Sequence, residues 1–234
     1  MNKYISFIKD NKFIILIITI FVLFKISSFN NDTKHYTPNQ YNKIHTILLN
    51  ILERFQRVLN KHNITYWAIA GTLLGSIRGG GIIKHDDDID LGIHYNDYWK
   101  ILNNKEIYED LKIEKLHIYK RLNILRVVLH KSDDDYINNN IFIDVFPFDT
   151  VKDKLYYSYF NHRFLWPKEY FLIQELFPLK KGKLNHLEIM VPNHAISYLE
   201  RVYGNCLDKN GPCWKEQIKY NPFFHQFDIN LNLN

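Results

Sequence analysis

The sequence predicts an α+β domain, a mixed sheet flanked by helices, preceded by one N-terminal transmembrane helix. Three observations support this prediction. Apolar residues recur at helical spacing over residues 44–59, and short apolar runs typical of buried strands follow at 66–70, 123–129 and 141–148. A continuous apolar run, 13–24, stands apart near the amino terminus.

Composition narrows the class of protein. The 234 residues suit one sizeable domain, and a hydrophobic fraction of 46% with 24% charged residues excludes disorder as the main state. Two cysteines are too few for a disulfide scaffold. The net charge of +5 is mildly basic, but Asn, Ile, Lys and Tyr are all abundant. The lysine excess is therefore weak evidence, and no nucleic-acid partner is expected.

The apolar run predicts a membrane anchor. Extended to 13–29 it has 17 residues, the low edge of the length that crosses a bilayer, and no Ala-x-Ala-like cleavage site follows. Three lysines precede the run 13–24 and two follow it, which favours a cytosolic amino terminus. We expect a single-pass type II membrane protein with a tail and uncleaved signal anchor (1–29), a stem (30–40), and a domain (41–234) that is luminal, in the Golgi or ER, or extracytoplasmic.

Two further features are compatible with that topology. Asn31 and Asn63 each begin an Asn-x-Thr sequon, although an Asn-rich chain contains such triplets by chance. Cys206 and Cys213 bracket a turn-rich loop that a disulfide closes in an oxidising lumen, unless the geometry forbids it. The sequence fixes neither modification.

A helix and a strand lead into a glycine turn. The apolar stripe of 44–59 has charged residues opposite it, so we expect a core-packing helix of about five turns. The run 66–70 is bounded by Gly71, as is typical of a buried strand. Gly71 and Thr72 then lead into a short helix over 73–78. The backbone N–H groups and the dipole at its start suit a phosphate.

An acidic run follows that helix. In a strand, alternation places Asp86, Asp88 and Asp90 on one face and apolar residues on the other. Three carboxylates at this spacing repel one another, so the face is either solvated or holds a hard metal ion with oxygen ligands, Mg²⁺ or Mn²⁺. Asp86 and Asp87 rank below the other two as direct ligands. The strand, turn and helix before the run favour the metal.

A lone carboxylate, Asp144, lies inside the apolar strand predicted at 141–148. Its neighbours are Ile, Phe and Val, so its charge needs a partner. Either a metal shared with Asp88 and Asp90 supplies that partner, or a cation such as Arg126 pairs with it.

The segment after that strand is rich in aromatic residues, with six of them between Tyr156 and Trp166. We expect a helix from residue 152 up to Pro167. Aromatic residues at helical spacing belong more often to a core than to a sugar-binding platform. We therefore assign no binding role to this segment.

Several motifs together carry a family resemblance. They are Gly71-Thr-Leu-Leu-Gly-x-x-Arg78, the stretch from Ile82 to Asp90, Ile143-Asp-Val-Phe-Pro147, a hairpin from Leu184 to Pro192 and a helix from Tyr198 to Gly204. They resemble the LicD/fukutin-related phosphotransferases of the nucleotidyltransferase superfamily. The resemblance covers roughly 44–204 and implies a nucleotidyltransferase-like fold.

The resemblance also implies roles for individual positions. An Asp-x-Asp pair and a third carboxylate match the family's metal site. A Gly-Thr pair matches the family's phosphate-binding turn, and an arginine matches a recurrent basic residue. His85 stands where the family usually has Trp, and either a phosphate contact or an exposed side chain without a role suits it. The implied sets are Asp88, Asp90 and Asp144 as catalytic residues, these three with Asp86 as metal ligands, and Gly71, Thr72, Arg78 and His85 as substrate-binding residues.

The implied function is metal-dependent transfer of a substituted phosphate. Phosphocholine or a polyol phosphate would move from a CDP-linked donor to a hydroxyl of a glycan or glycoconjugate acceptor, with Mg²⁺ or Mn²⁺ as cofactor and the membrane as a further partner. Two alternatives stay open. One is a glycosyltransferase that uses the same Asp-x-Asp pair to hold a sugar nucleotide, and the other is a catalytically inactive, membrane-tethered glycan-binding protein.

Overall fold

The described part of the chain comprises residues 36–130 and 141–204 of a computed structural model. A compact unit begins at Pro38, three residues before the predicted domain start. Across these two ranges, no helix is both long and apolar enough to cross a membrane. The predicted anchor 1–29, Asn31 and both cysteines lie outside the described residues, so the expectations attached to them stay predictions.

The first helix, α1 (Pro38–Lys61), confirms the predicted amphipathic helix. It begins at Pro38, inside the predicted stem 30–40. Proline is well tolerated in the first turn of a helix, so this residue does not prevent the earlier start. Its outer face carries Arg57, which pairs with Glu114 at 2.8 Å. Its inner face is buried in the core through Ile44, Leu48, Leu49, Ile51, Leu52, Phe55, Val58 and Leu59.

A mixed sheet forms the centre of the domain and confirms the predicted fold class. Its strands in the described ranges are β1 (Tyr66–Ala68), β2 (Ile89–His94), β3 (Leu116–Arg121), β4 (Ile124–Leu129), β5 (Ile143–Val151), β6 (Lys154–Tyr157) and β7 (Phe171–Leu172). The order is β1-β2-β5-β4-β3, with β6 pairing to β5 and β7 to β6. Strands β2 and β5 are parallel and the other pairs are antiparallel.

Short helices and one hairpin surround this sheet. The helices are α2 (Ala70–Gly79), α3 (Tyr95–Asn103), α4 (Lys105–Ile113), α5 (Phe160–Leu165), α6 (Ile173–Leu176) and α7 (Ala195–Tyr203), and the hairpin consists of β8 (Lys180–Leu184) and β9 (Leu187–Val191). Helix α2 contacts both β8 and α7. The hairpin and α7 confirm the two closing elements that the family resemblance implied.

Three element predictions need correction. Only the last acid of the run, Asp90, lies in a strand, because β2 starts at Ile89 and the residues from Asp86 to Asp88 are irregular. Strand β1 ends at Ala68, and Gly71 and Thr72 belong to the first turn of α2. The expected single helix from residue 152 is wrong, because 154–157 pairs with β5 as a strand before α5 begins.

A close contact between β1 and β2 fixes the register in which the two strands pair. Trp67 is 1% exposed and lies across Gly92 of β2. A Cβ atom at position 92 would collide with its indole ring. Because no other residue leaves this space, Gly92 allows β1 to pair with β2 in the observed register.

Candidate functional site

A cavity of about 230 Å³ contains the predicted acidic side chains. It lies where the start of α2 meets the acidic run and the segment that follows α5. Although the run is irregular, the three predicted carboxylates share this cavity. The lining residues are Ala70, Gly71, Asp86, Asp88, Asp90, Phe146, Tyr157, Trp166, Glu169 and Tyr203.

Backbone hydrogen bonds hold the acidic run in place. The Asp90 N–H donates to the Thr72 hydroxyl oxygen at 2.8 Å, which ties the start of β2 to the first turn of α2. The Asp86 N–H donates to the Ile83 carbonyl at 2.9 Å, and the His45 ring lies 2.9 Å from the Asp86 carbonyl. Thr72 is buried and does not line the cavity, so in this structure its observed contact is with the Asp90 backbone.

Gly71 is needed because the Asp86 carboxylate lies against it. A Cβ atom at position 71 would lie 2.8 Å from Asp86 Oδ2, closer than a carbon and an oxygen pack. Any larger residue would therefore displace this carboxylate. In this structure the group that closely approaches Gly71 is therefore a side chain of the chain itself.

The carboxylates in the cavity disfavour one another's ionisation. Burial raises the pKa of Asp86 to about 6, with a hydrogen bond to Asp88 opposing the shift and the charge of Asp87 adding to it. Burial, followed by repulsion from Asp86, Asp87 and Asp144, raises the pKa of Asp88 well above its ordinary value. Burial and then the charge of Asp88 do the same to the pKa of Asp90.

This donor set fits a hard divalent cation. Asp86, Asp87 and Asp88 each offer one oxygen, and these oxygens all lie within 4.8 Å of one another. Carboxylate oxygens are the ligands that Mg²⁺ and Mn²⁺ prefer, and a bound cation would relieve the repulsion that raises the pKa values. The predicted ligand set omitted Asp87, because alternation in a strand would have pointed this side chain away.

Asp144 is placed between the acidic cavity and a cation. In the sheet it pairs with Asp90 on β2 and with Arg126 on β4. Its carboxylate accepts two hydrogen bonds from Arg126, at 2.8 and 3.2 Å, and it is not among the cavity lining. Of the two partners left open by the sequence, the structure therefore shows Arg126, and a metal contact of Asp144 stays a prediction.

Glu169 is an acidic residue of the cavity that the sequence analysis missed. It is buried beside two tyrosine hydroxyl groups, and both donate to its Oε2 atom: Tyr157 in a short hydrogen bond and Tyr198 at 3.3 Å. The Ala70 N–H lies 3.3 Å from the same Tyr198 hydroxyl. Glu169 thus links β6 and α7 to the start of α2 around the cavity. Its only sequence signal was a single acid within an aromatic-rich segment.

Two predicted substrate-binding residues do not line the acidic cavity. Arg78 and His85 instead line a separate cavity of about 440 Å³, together with Lys84 and the glycine-rich loop after α2. The His85 ring also lies edge-on to Tyr41 at 5.5 Å between centroids. Arg78 is displaced because it lies at the C-terminal end of α2, whereas the acidic cavity lies at the start of that helix.

The fold and the site together define a nucleotidyltransferase-like domain with a carboxylate cavity beside its mixed sheet. Residues 63–194, more than half of the chain, match the family described as LicD/FKTN/FKRP, nucleotidyltransferase domain. The chain therefore belongs to this family, as its motifs implied.

Several curated proteins are similar to the chain. An uncharacterised protein of Rickettsia typhi is 31% identical over 187 residues, which is 78% of this chain and 50% of the relative. The lipopolysaccharide cholinephosphotransferase LicD of Haemophilus influenzae is 28% identical over 118 residues, 46% of this chain and 44% of that protein. The human ribitol-5-phosphate transferase FKTN is 24% identical over 175 residues, 72% of this chain and 33% of that protein. The chain spans about half the length of the Rickettsia typhi relative, and less of the two transferases.

Proposed function

We propose that the chain is a metal-dependent phosphotransferase that moves a substituted phosphate from a CDP-linked donor to a hydroxyl of a glycan or glycoconjugate. Phosphocholine and a polyol phosphate are the candidate groups. The observation that carries the proposal is the convergence of Asp86, Asp88 and Asp90 with Gly71 in one cavity of a LicD-family domain. The names of the Haemophilus and human relatives, a cholinephosphotransferase and a ribitol-5-phosphate transferase, support phosphate-group transfer as the reaction class.

The residues of the cavity have distinct tasks in this proposal. Asp88 and Asp90 would hold the cation from the lining of the cavity. Asp86 and Asp87 would offer further oxygens, which lie within 4.8 Å of an oxygen of Asp88. Thr72 fixes the Asp90 backbone, and Gly71 leaves room for the Asp86 carboxylate. When bound, Mg²⁺ or Mn²⁺ neutralises phosphate charge and polarises the phosphoryl group.

Glu169 limits the negative charge of the cavity. Burial raises its pKa to about 7, so a large fraction of the molecules keep this proton at neutral pH, where an ordinary Glu is fully ionised. A protonated Glu169 repels an anionic donor less than a carboxylate would. Trp166 and Phe146 form an apolar wall that reduces the access of water to the reacting groups.

Donor turnover by the purified full-length chain tests the proposal. CDP-choline, CDP-ribitol and CDP-glycerol are supplied with Mg²⁺ or Mn²⁺, and CMP release is measured. We expect release from one of them, reduced at least about 100-fold in Asp88→Asn and Asp90→Asn. Asp153→Asn is the matched control, because this acid lies on the exposed β5–β6 turn.

Three results would contradict this function. Equal CMP release by the two cavity variants and the wild-type chain would remove the cavity from the reaction. Saturable use of a UDP- or GDP-sugar in preference to CDP compounds would favour the glycosyltransferase instead. Glycan binding that persists without any uptake of Mn²⁺ or Mg²⁺ would favour the inactive binding protein.

The membrane topology is a separate part of the proposal. Residues 13–29 would anchor the chain, with the domain luminal or extracytoplasmic, and the support is the length and position of the apolar run. Alkaline extraction of membranes tests the anchor, and the full-length chain should stay in the pellet. A chain released into the supernatant would refute the anchor without touching the proposed reaction.

A further inference from the structure

Large apolar side chains are exposed on the side of the domain formed by the β3–β4 turn and α5. Leu122 at the turn is 75% exposed and Phe160 at the start of α5 is 74% exposed. Phe164, one helical turn further on, stacks on Phe160 with 6.0 Å between ring centroids. Together with the cations Lys120, Arg121 and Arg163, these three residues are called here the basic apolar surface.

The turn residue is unusual for its backbone as well as for its exposure. Leu122 has φ 49° and Asn123 has φ 69°, the left-handed conformation that hairpin turns usually fill with Asn or Gly. A leucine there is strained, and its side chain is mostly in solvent rather than in the core. Neither the stability of the turn nor the packing of the domain accounts for a leucine at this position.

Contacts join the turn to α5. The His162 ring lies near the Leu122 backbone, which opposes the lowering of the pKa of His162 by burial. The Lys120 ammonium lies 5.8 Å from the ring centroid of Tyr159, the residue that precedes α5. The two exposed apolar groups therefore belong to neighbouring elements of one side of the domain.

The Lys, Arg, Asp and Glu residues of these elements are all basic. The chain contains 25 acidic residues, but none occurs in 115–130 or in 154–168. The same two ranges contain seven basic residues: Lys115, Lys120, Arg121, Arg126, Lys154, Arg163 and Lys168. Of these, Arg126 is engaged with Asp144, whereas Lys120, Arg121 and Arg163 are exposed beside the apolar groups.

We propose that the basic apolar surface docks the domain onto an anionic lipid bilayer. Exposed Leu and Phe side chains partition into the interfacial layer, and flanking Lys and Arg side chains pair with anionic headgroups. An uncharged apolar protein groove would match the apolar groups but leave the cations without partners.

The basic apolar surface borders the acidic cavity, because Trp166 at the end of α5 lines that cavity. A docked domain therefore presents the cavity next to the lipid. This inference does not depend on the proposed reaction.

Site-specific fluorescence of the full-length chain tests the docking. In a Cys206→Ser, Cys213→Ser background, single cysteines are introduced as Leu122→Cys, Phe160→Cys or Ile113→Cys and labelled with a polarity-sensitive dye. Ile113 is the matched control, because it is also 75% exposed but is the last residue of α4, beside Glu114. Each labelled chain is mixed or reconstituted with vesicles of phosphatidylcholine, with or without phosphatidylglycerol, and nitroxide-labelled lipid serves as quencher.

We expect the dyes at 122 and 160 to shift to the blue and to be quenched about two-fold in vesicles that contain phosphatidylglycerol. The dye at 113 should not respond. Raised salt, or the double change Arg121→Glu and Arg163→Glu, should reduce the response at 122 and 160.

Three results would overturn the proposal. The first is no response of the dyes at 122 and 160 in anionic vesicles. The second is an equal response at all three positions, which indicates unspecific adsorption. The third is a response that follows protein concentration without lipid, which assigns the surface to contacts between copies of the chain. Far-ultraviolet circular dichroism of each variant shows whether it is folded.

Discussion

Burial of closely spaced carboxylates is the dominant feature of the cavity at the scale of single residues. Burial is the first cause of the raised pKa of Asp88, and repulsion from the charges of Asp86, Asp87 and Asp144 adds to it. Ionising all of these groups without a cation lowers the stability of the folded domain, because the unfolded chain separates and hydrates them. Stability measured with and without metal therefore reports on this site even when the substrate is unknown.

Asp88→Asn should stabilise the metal-free domain while removing its response to metal. At pH 8 with chelator, we expect the free energy of unfolding to rise by about 1–2 kcal/mol, because one repelling charge is lost. Added Mn²⁺ should stabilise the wild-type chain and leave the variant unchanged. Urea unfolding with chelator and with Mn²⁺ measures both effects, and Asp153→Asn is the control. A variant less stable than wild type in chelator would contradict the repulsion.

Glu169→Gln should stabilise the domain only at higher pH. The unfolded chain ionises this carboxyl near its ordinary pKa of 4.5, whereas burial raises its pKa in the folded domain to about 7. Between these values the unfolded state has lost a proton that the folded state keeps, so wild-type stability falls as pH rises. We expect the variant to gain up to about 3 kcal/mol at pH 8 and almost nothing at pH 4.5.

Glu175→Gln is the control for that pH dependence. Burial disfavours ionisation of Glu175, but hydrogen bonds from Arg201 and the Leu172 backbone outweigh it and hold the pKa of Glu175 below its ordinary value. This change should therefore destabilise the domain at pH 8, and the loss should shrink as pH falls. Unfolding curves at several pH values measure both variants. A Glu169→Gln effect that is the same at every pH would refute the account.

Arg126 and Asp144 should be energetically coupled. Removing one partner leaves the other charge buried, since Asp144 is only 6% exposed. In a double-mutant cycle of Arg126→Met and Asp144→Asn, we expect a coupling energy of about 2 kcal/mol or more in the free energy of unfolding. A coupling energy near zero in chelator would indicate that Arg126 is not the main partner of Asp144. That result would favour the predicted contact of Asp144 with a metal ion.

The sequence anticipated part of the site for clear physical reasons. Asp86, Asp88 and Asp90 stood out because closely spaced carboxylates need either water or a cation. Asp87 was left out of the ligand set because alternation in a strand was assumed, and the irregular chain before Ile89 removes that alternation. Glu169 reaches the cavity only through tertiary folding of the segment after α5, which no local pattern encodes.

At the scale of elements, the pairing of β1 and β2 depends on the absence of a side chain at Gly92. Gly92→Ala should lower the free energy of unfolding by about 2–4 kcal/mol, because the new methyl group meets the indole ring of buried Trp67. Gly79→Ala is the matched control, since nothing lies within 4 Å of a Cβ there, and it should be neutral or slightly stabilising. Urea unfolding measures both. Equal effects of the two changes would contradict the assigned contact.

Elements with a single strong pattern were predicted best. Helix α1 has one continuous apolar stripe, and β4 and β5 are apolar runs, so each is recognisable locally. Strand β6 was mistaken for helix because Lys154–Tyr157 is short and adjoins the true helix α5. This segment forms a strand because it pairs with β5, and the periodicity of the sequence does not reveal that pairing.

At the scale of the whole molecule, the family domain places the acidic cavity and the basic apolar surface in one compact unit. The cavity carries the acidic run and Glu169, whereas the two ranges 115–130 and 154–168 contain only basic charges. This separation suits a reaction in which cations neutralise a donor in the cavity while an anionic bilayer lies beside it. Both roles are proposals that rest on different residues and fail separately.

The most direct test is whether the acidic cavity binds a metal ion together with a CDP-linked donor. Crystals of the chain are soaked with Mn²⁺ and CDP-choline, CDP-ribitol or CDP-glycerol, and anomalous X-ray diffraction locates the manganese. The account predicts a manganese peak in the cavity, coordinated by carboxylate oxygens of Asp88 and Asp90 and by a diphosphate oxygen of the donor. Crystals of Asp88→Asn should lack that peak. A cavity without manganese in the wild-type chain, or a peak that persists unchanged in the variant, would contradict the account.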